Sequence, residues 1–168
     1  MSKAFVREDD GIDEPVMRRP YSPVAAGEKN YVTPAGAHRL REALVELKRE
    51  RVALTAAPVK PDMRGELQEI DQRLHYLEES LRTAEIVPAP EGPWDTVRFG
   101  ATVDVRDSKG NEARYRIVGV DEADASRDCV SWRAPIARAL LQAKLGQRVS
   151  FQFPKGKTEL EIVAIKYD

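Results

Sequence analysis

The chain predicts an α+β protein: an N-terminal antiparallel helical hairpin followed by an antiparallel sheet with one short helix. Three observations carry this. Leucines recur at spacings of three and four in two runs that face each other across a Pro-rich turn. A second proline cluster, Val87-Pro-Ala-Pro-Glu-Gly-Pro93, interrupts the chain soon afterwards. Beyond it the apolar period changes from 3.5 residues to two.

Residues 1–30 mix charges with Pro15, Pro20, Pro23 and Gly27 and carry no apolar period, so they read as a flexible arm. The coiled-coil hairpin is expected over 31–87. Thr33 serves as the N-cap of its first helix and Pro34 as the first helical residue. Ala37, Leu40, Leu44, Leu47 and Leu54 form the first ladder, with Arg51 in the slot that breaks it. Leu67, Ile70, Leu74, Leu77, Leu81 and Ala84 form the second without interruption. Pro58-Val-Lys-Pro61 cannot continue a helix and is too short for anything but a fold-back.

Residues 88–94 form a stiff linker, and 95–168 an independent compact unit. Ala101, Val103 and Val105 alternate with polar residues, and Asp107-Ser-Lys-Gly110-Asn111 is a turn. Ala113, Tyr115 and Ile117 mark the returning strand, and Cys129–Trp132 a third short one. Pro135 opens a short helix through Ile136, Ala139 and Leu140, with Gly146 expected to close it. Val149–Phe153 and Leu160–Ile165 are the last two strands, joined by a turn at Pro154–Lys157.

Composition narrows function. Acidic and basic residues nearly cancel, 28 against 27, so no net field draws the molecule to nucleic acid or membrane. No apolar run is long enough to span a bilayer, and acids occupy the place of a signal-peptide core, which together predict a cytoplasmic protein. A single cysteine, Cys129, fits a reducing compartment, and two histidines with one cysteine offer no metal-ligand spacing. No cofactor is expected.

Several blocks then resemble one family. Tyr31-Val-Thr-Pro-Ala-Gly36, with Leu40 and Leu44, resembles the I-T-x-E-G-x-x-x-L opening of the bacterial transcription elongation factors GreA and GreB. Glu69-Ile-Asp-Gln-Arg-Leu-His-Tyr-Leu77 is similar to the family's second coiled-coil helix. Phe99–Val103, Tyr115–Asp124 and Ala134–Leu140 resemble signature blocks of its C-terminal domain, in the same order and at the same spacing. The resemblance implies an FKBP-like C-terminal domain that docks on RNA polymerase at the rim of the secondary channel. It also implies a coiled coil that enters the channel, near nascent RNA or DNA, and a monomer. Asp121, Glu122, Asp124, Ala134, Pro135, Ile136 and Arg138 fall where the family meets polymerase.

One departure bears on chemistry. The family's acidic D-x-x-E-N motif at the hairpin tip is missing, and with it roughly 14 residues, or about 10 Å of reach. Catalytic positioning fails with errors of about 1 Å. The chain therefore resembles a shortened, Rnk-like relative that binds without stimulating transcript cleavage and is not itself an enzyme. Asp62, Arg64 and Glu66 mark the tip. Either Asp62 and Glu66 are relocated acids of a transcript-cleavage factor, or Asp62 caps the second helix and Glu66 complements its dipole. A protein adaptor, such as a nucleoside diphosphate kinase regulator, also suits a coiled-coil seam. A prolyl isomerase is suggested by fold analogy alone.

Other residues carry two readings each. Trp132 is an interface anchor or a buried sheet residue, and Trp94 is expected to pin the linker to the sheet. Ile136 is an apolar knob or core. The basic residues Arg39, Arg41, Lys48, Arg49 and Arg51 read as a solvated face paired to Glu42, Glu46 and Glu50.

Overall fold

A computed structural model describes residues 24, 25 and 27–168, so most of the expected N-terminal arm lies outside the described residues. In chain order the elements are β1 (Asn30–Val32), α1 (Pro34–Thr55), α2 (Arg64–Thr83), β2 (Ala84–Ile86), β3 (Thr102–Asp107) and β4 (Glu112–Val118). Then follow β5 (Cys129–Ser131), α3 (Pro135–Leu140), β6 (Arg148–Phe153) and β7 (Gly156–Lys166). Among the described residues, chain packing defines two compact units, one holding Pro34–Ile86 and the other Val87–Asp168 together with Tyr31–Thr33.

In the helical unit, Leu47, Ile70 and Leu74 are buried, and Leu44, Leu54 and Leu77 are half-buried around them. Ala37 and Leu40 are also buried. The seam is the one the leucine spacing predicts, because residues three and four apart share a helix face. Arg51 does not leave a hole in it. Its guanidinium leans across to Asp71 on α2, Nε to Oδ1 at 2.5 Å, and that hydrogen bond raises its pKa further above the usual value. Lys48 makes a second cross-helix pair with Glu78 at 2.8 Å. Residues 56–60 and a 3-10 turn at Pro61–Met63 reverse the chain. At the other end the Asn30 amide donates to Ser80 O and to Thr83 Oγ1, satisfying groups in the last turn of α2.

The other unit is a five-stranded sheet in the order β5-β4-β3-β7-β6. Its core comprises Val97, Ala101, Val103, Val105, Ile117, Leu160, Ile162 and Ile165, covered by Ala137 and Leu140 of α3. The β3–β4 turn is held by Asp107, whose carboxylate accepts from the backbone N–H groups of Lys109 and Asn111 and from the Asn111 amide. Gly110 takes the positive φ of 86° that this turn demands.

Three expectations are corrected here. The sheet is not wholly antiparallel, because β5 runs parallel to β4. Residues 119–128 carry the chain back through two 3-10 turns instead of a tight hairpin, so β5 lies beside β4 in the same direction. Gly146 does not close α3. The helix ends at Leu140, Gln142 takes the left-handed conformation (φ 69°), and Gly146 instead turns the chain into β6 while donating to Ile162 O. Finally, the period of two slips in β7. The register against β3 shifts between Asp104 and Val105, and this bulge returns Ile165 to the buried side occupied by Leu160 and Ile162.

Candidate functional site

The hairpin tip is short and polar. Asp62 lies exposed in the 3-10 turn, Arg64 is the first residue of α2, and Glu66 is exposed in its first turn. Asp62 does not cap α2. Met63 stands at the N-cap and makes no side-chain cap bond; the 3-10 turn Pro61–Met63 leads directly into the helix and leaves Asp62 one residue before the cap position. No group of three or more potential metal-ligating side chains converges among the described residues. His75 lines an open groove along α2 with Arg64, Leu67, Gln68, Asp71 and Gln72.

The 119–124 loop of the sheet unit differs more from its sequence reading. Glu122 is turned inward, 9% exposed. One carboxylate oxygen accepts from the Thr33 N–H at 2.9 Å and from the Gly119 N–H at 3.0 Å, while the other takes the Thr33 hydroxyl. Asp124 is half-exposed and accepts from Ser126 N and Oγ at 3.0 and 2.6 Å. Those hydrogen bonds, the side-chain one foremost, hold its carboxyl below the usual range. Asp121 remains half-exposed between them. The loop therefore presents Asp121 and part of Asp124 outward, and does not present three acids.

On the segment opening α3, Pro135 and Arg138 are exposed, and Ile136 is half-buried against the sheet core rather than standing out as a knob. Ala134 occupies the N-cap and supplies no side-chain bond. Trp132 is half-buried, its ring 5.0 Å from that of Tyr31, with the Arg133 guanidinium 5.3 Å above it. Tyr31 also meets Phe99 at 5.7 Å. Trp94 packs against Tyr167 at 5.5 Å and donates from Nε1 to Pro90 O, tying the linker to the end of β7. Cys129 is a half-buried strand residue.

Sequence reasoning missed the Thr33–Glu122 contact. The two residues are 89 positions apart, and each had a local explanation, as helix cap and as solvent-facing acid. The available signal was Gly119, where an added Cβ would lie 2.5 Å from Tyr31 O.

A helical hairpin joined to a small five-stranded sheet with one short helix defines a two-unit α+β protein. Comparison with known proteins narrows that class. The family model described as "Transcription elongation factor, GreA/GreB, C-term" matches residues 91–167. The chain is 35% identical over 154 residues to transcription elongation factor GreB of Neisseria meningitidis, covering 83% of this chain and 94% of that protein. It is 38% identical over 152 residues to GreA of Alkalilimnicola ehrlichii, covering 81% and 96%. Among solved structures, the GreA/GreB factor from Nitrosomonas europaea aligns with a TM-score of 0.43 and 26% identity, over 83% of this chain and all of that one. The chain belongs to the GreA/GreB family of transcription elongation factors.

Proposed function

We propose that this protein is a bacterial RNA polymerase-binding regulator that docks at the secondary-channel rim and inserts a short coiled coil without stimulating transcript cleavage. In this reading the sheet unit is an FKBP-like docking domain. The protein is a cytoplasmic monomer and is not itself an enzyme. Its hairpin lies close to nascent RNA or DNA without reading either, because no aromatic residues interleave its basic face and three of its cations are paired with acids: Lys48 with Glu78, Arg49 with Glu46, and Arg51 with Asp71.

The observation that carries the proposal is the early reversal of the hairpin. α1 has 22 residues, about 33 Å at 1.5 Å per residue, and the turn beyond it holds only Asp62 before Glu66 in α2. The family comparison fits an internal deletion in this chain, whose overall length is no shorter than the relative's. The stretch aligned with the Neisseria protein is 154 residues long but takes up 83% of this 168-residue chain, about 139 residues, so about 15 aligned positions have no counterpart here. Metal-assisted hydrolysis needs carboxylates held at the metal within a fraction of an ångström, and a rod about one heptad short per arm does not bring them there.

Binding tests the choice of partner. Purified core RNA polymerase should retain the full chain and lose it when excess GreA or GreB is added, since all three would occupy one rim. Absence of binding would remove polymerase as the partner and favour the adaptor reading.

A further inference from the structure

We propose that Glu122 is a positioning residue: it fixes the 119–124 loop, and with it Asp121, by binding Thr33, and does not itself meet the polymerase. This rests on the function proposed above, in which that loop faces the partner. It reverses the role that the resemblance implied for Glu122.

The geometry is a closed set of bonds within the sheet unit. The Glu122 carboxylate takes the Thr33 N–H, the Thr33 hydroxyl and the Gly119 N–H, while the Glu122 N–H donates to Gly119 O at 3.1 Å. The strap that receives the loop is itself anchored. Val32 is 1% exposed and its carbonyl accepts from the Val87 N–H at 3.0 Å, and the Tyr31 ring lies against Phe99 and Trp132. Gly119 approaches the strap so closely that a side chain there would collide with Tyr31 O and with the Glu122 carboxylate. A carboxylate with three inward donors and 9% exposure is spent on the fold. Asp121, one residue earlier and half-exposed, is held in place by it.

The bonding pattern separates positioning from charge. Both backbone donors reach the same carboxylate oxygen, and the Thr33 hydroxyl reaches the other. A glutamine can place its carbonyl at the first position. Its NH2 then occupies the second and donates to the Thr33 hydroxyl, which serves as acceptor. E122Q thus preserves all three links with no charge, whereas E122A leaves buried donors unmet.

The experiment uses the full-length protein as wild type, E122Q, E122A and T33V, with two readouts: affinity for core RNA polymerase, and amide hydrogen exchange over residues 119–124 in the free protein. E122A should bind about tenfold more weakly and exchange faster across the loop, while E122Q stays within about twofold of wild type on both counts. T33V, which loses the hydroxyl link together with the N-cap oxygen of α1 but keeps the Thr33 N–H link, should fall between, and it serves as the probe if E122A does not fold. Equal loss of binding in E122Q and E122A with unchanged exchange would show that the charge meets the partner and overturn the proposal. Wild-type exchange in E122A or T33V would overturn it as well. If the wild-type protein does not bind polymerase, the functional reading fails, and the exchange data alone still decide whether Glu122 positions the loop.

Discussion

Replacing Leu74 by aspartate should open the helical hairpin and leave the sheet unit folded. Leu74 is 9% exposed and belongs to a cluster with two other buried members, Leu47 and Ile70. At about 1.5–3 kcal/mol for each buried aliphatic side chain, those three contribute roughly 5–9 kcal/mol to the seam. Truncation to alanine costs about 2–4 kcal/mol, which leaves the hairpin weakened but formed. Aspartate loses the same contacts and also puts a carboxylate into the buried seam, where the nearest facing cations, Lys48 and Arg51, are already paired with Glu78 and Asp71, costing several kcal/mol more. That total matches or exceeds what the seam supplies. Two optical signals separate the units. α1 and α2 contain 22 and 20 residues against six in α3, so ellipticity at 222 nm reports mainly the hairpin. Both tryptophans, Trp94 and Trp132, lie in the sheet unit, so their fluorescence reports that unit. The mutant should lose most of its helical signal at 25 °C while its tryptophan emission and urea midpoint stay near wild type. Concerted loss of both signals in one transition would refute independent units.

Asp121→Lys should weaken polymerase binding by roughly tenfold if that acid faces basic residues on the partner, read by titration against core enzyme; unchanged affinity would remove the loop from the docking surface. A fragment comprising 95–168 should unfold at lower urea than the same unit in the full chain, because it lacks Tyr31–Thr33, which meet Trp132, Phe99 and Glu122. Asp107→Ala should lower the melting temperature more at pH 7 than at pH 2. Partial desolvation is the largest influence on the Asp107 carboxyl and acts upward, but the hydrogen bonds from Asn111 and Lys109 and the nearby Lys109 charge together hold it below its usual value. The folded state therefore binds this proton less readily than the unfolded chain. The stabilisation is complete above the unfolded value of about 3.9 and fades as pH falls through the lower folded value. A mutant gap independent of pH would show that Asp107 acts without its charge.

Much of the architecture was legible because periodicity is a local property. The leucine spacing named the seam residues that are buried, and the prolines at 58 and 61 located the reversal. The alternation in 101–105 named the most buried strand residues, because a half-buried strand repeats every two positions. The failures are long-range or depend on single residues. The parallel placement of β5 depends on where ten intervening residues lead the chain, and the β7 bulge on pairing with β3. The inward Glu122 depends on a contact with Thr33 that no window contains. Asp62 failed as a cap through a one-residue offset, which element boundaries read from sequence do not resolve.

Transcript cleavage on a backtracked elongation complex tests the central claim most directly. Added to such a complex, the protein should give no RNA cleavage above the polymerase's own rate, and should slow the cleavage that added GreA or GreB stimulates. Cleavage stimulated by the protein and abolished by Asp62→Ala or Glu66→Ala would contradict the account, showing that the short tip reaches the metal after all.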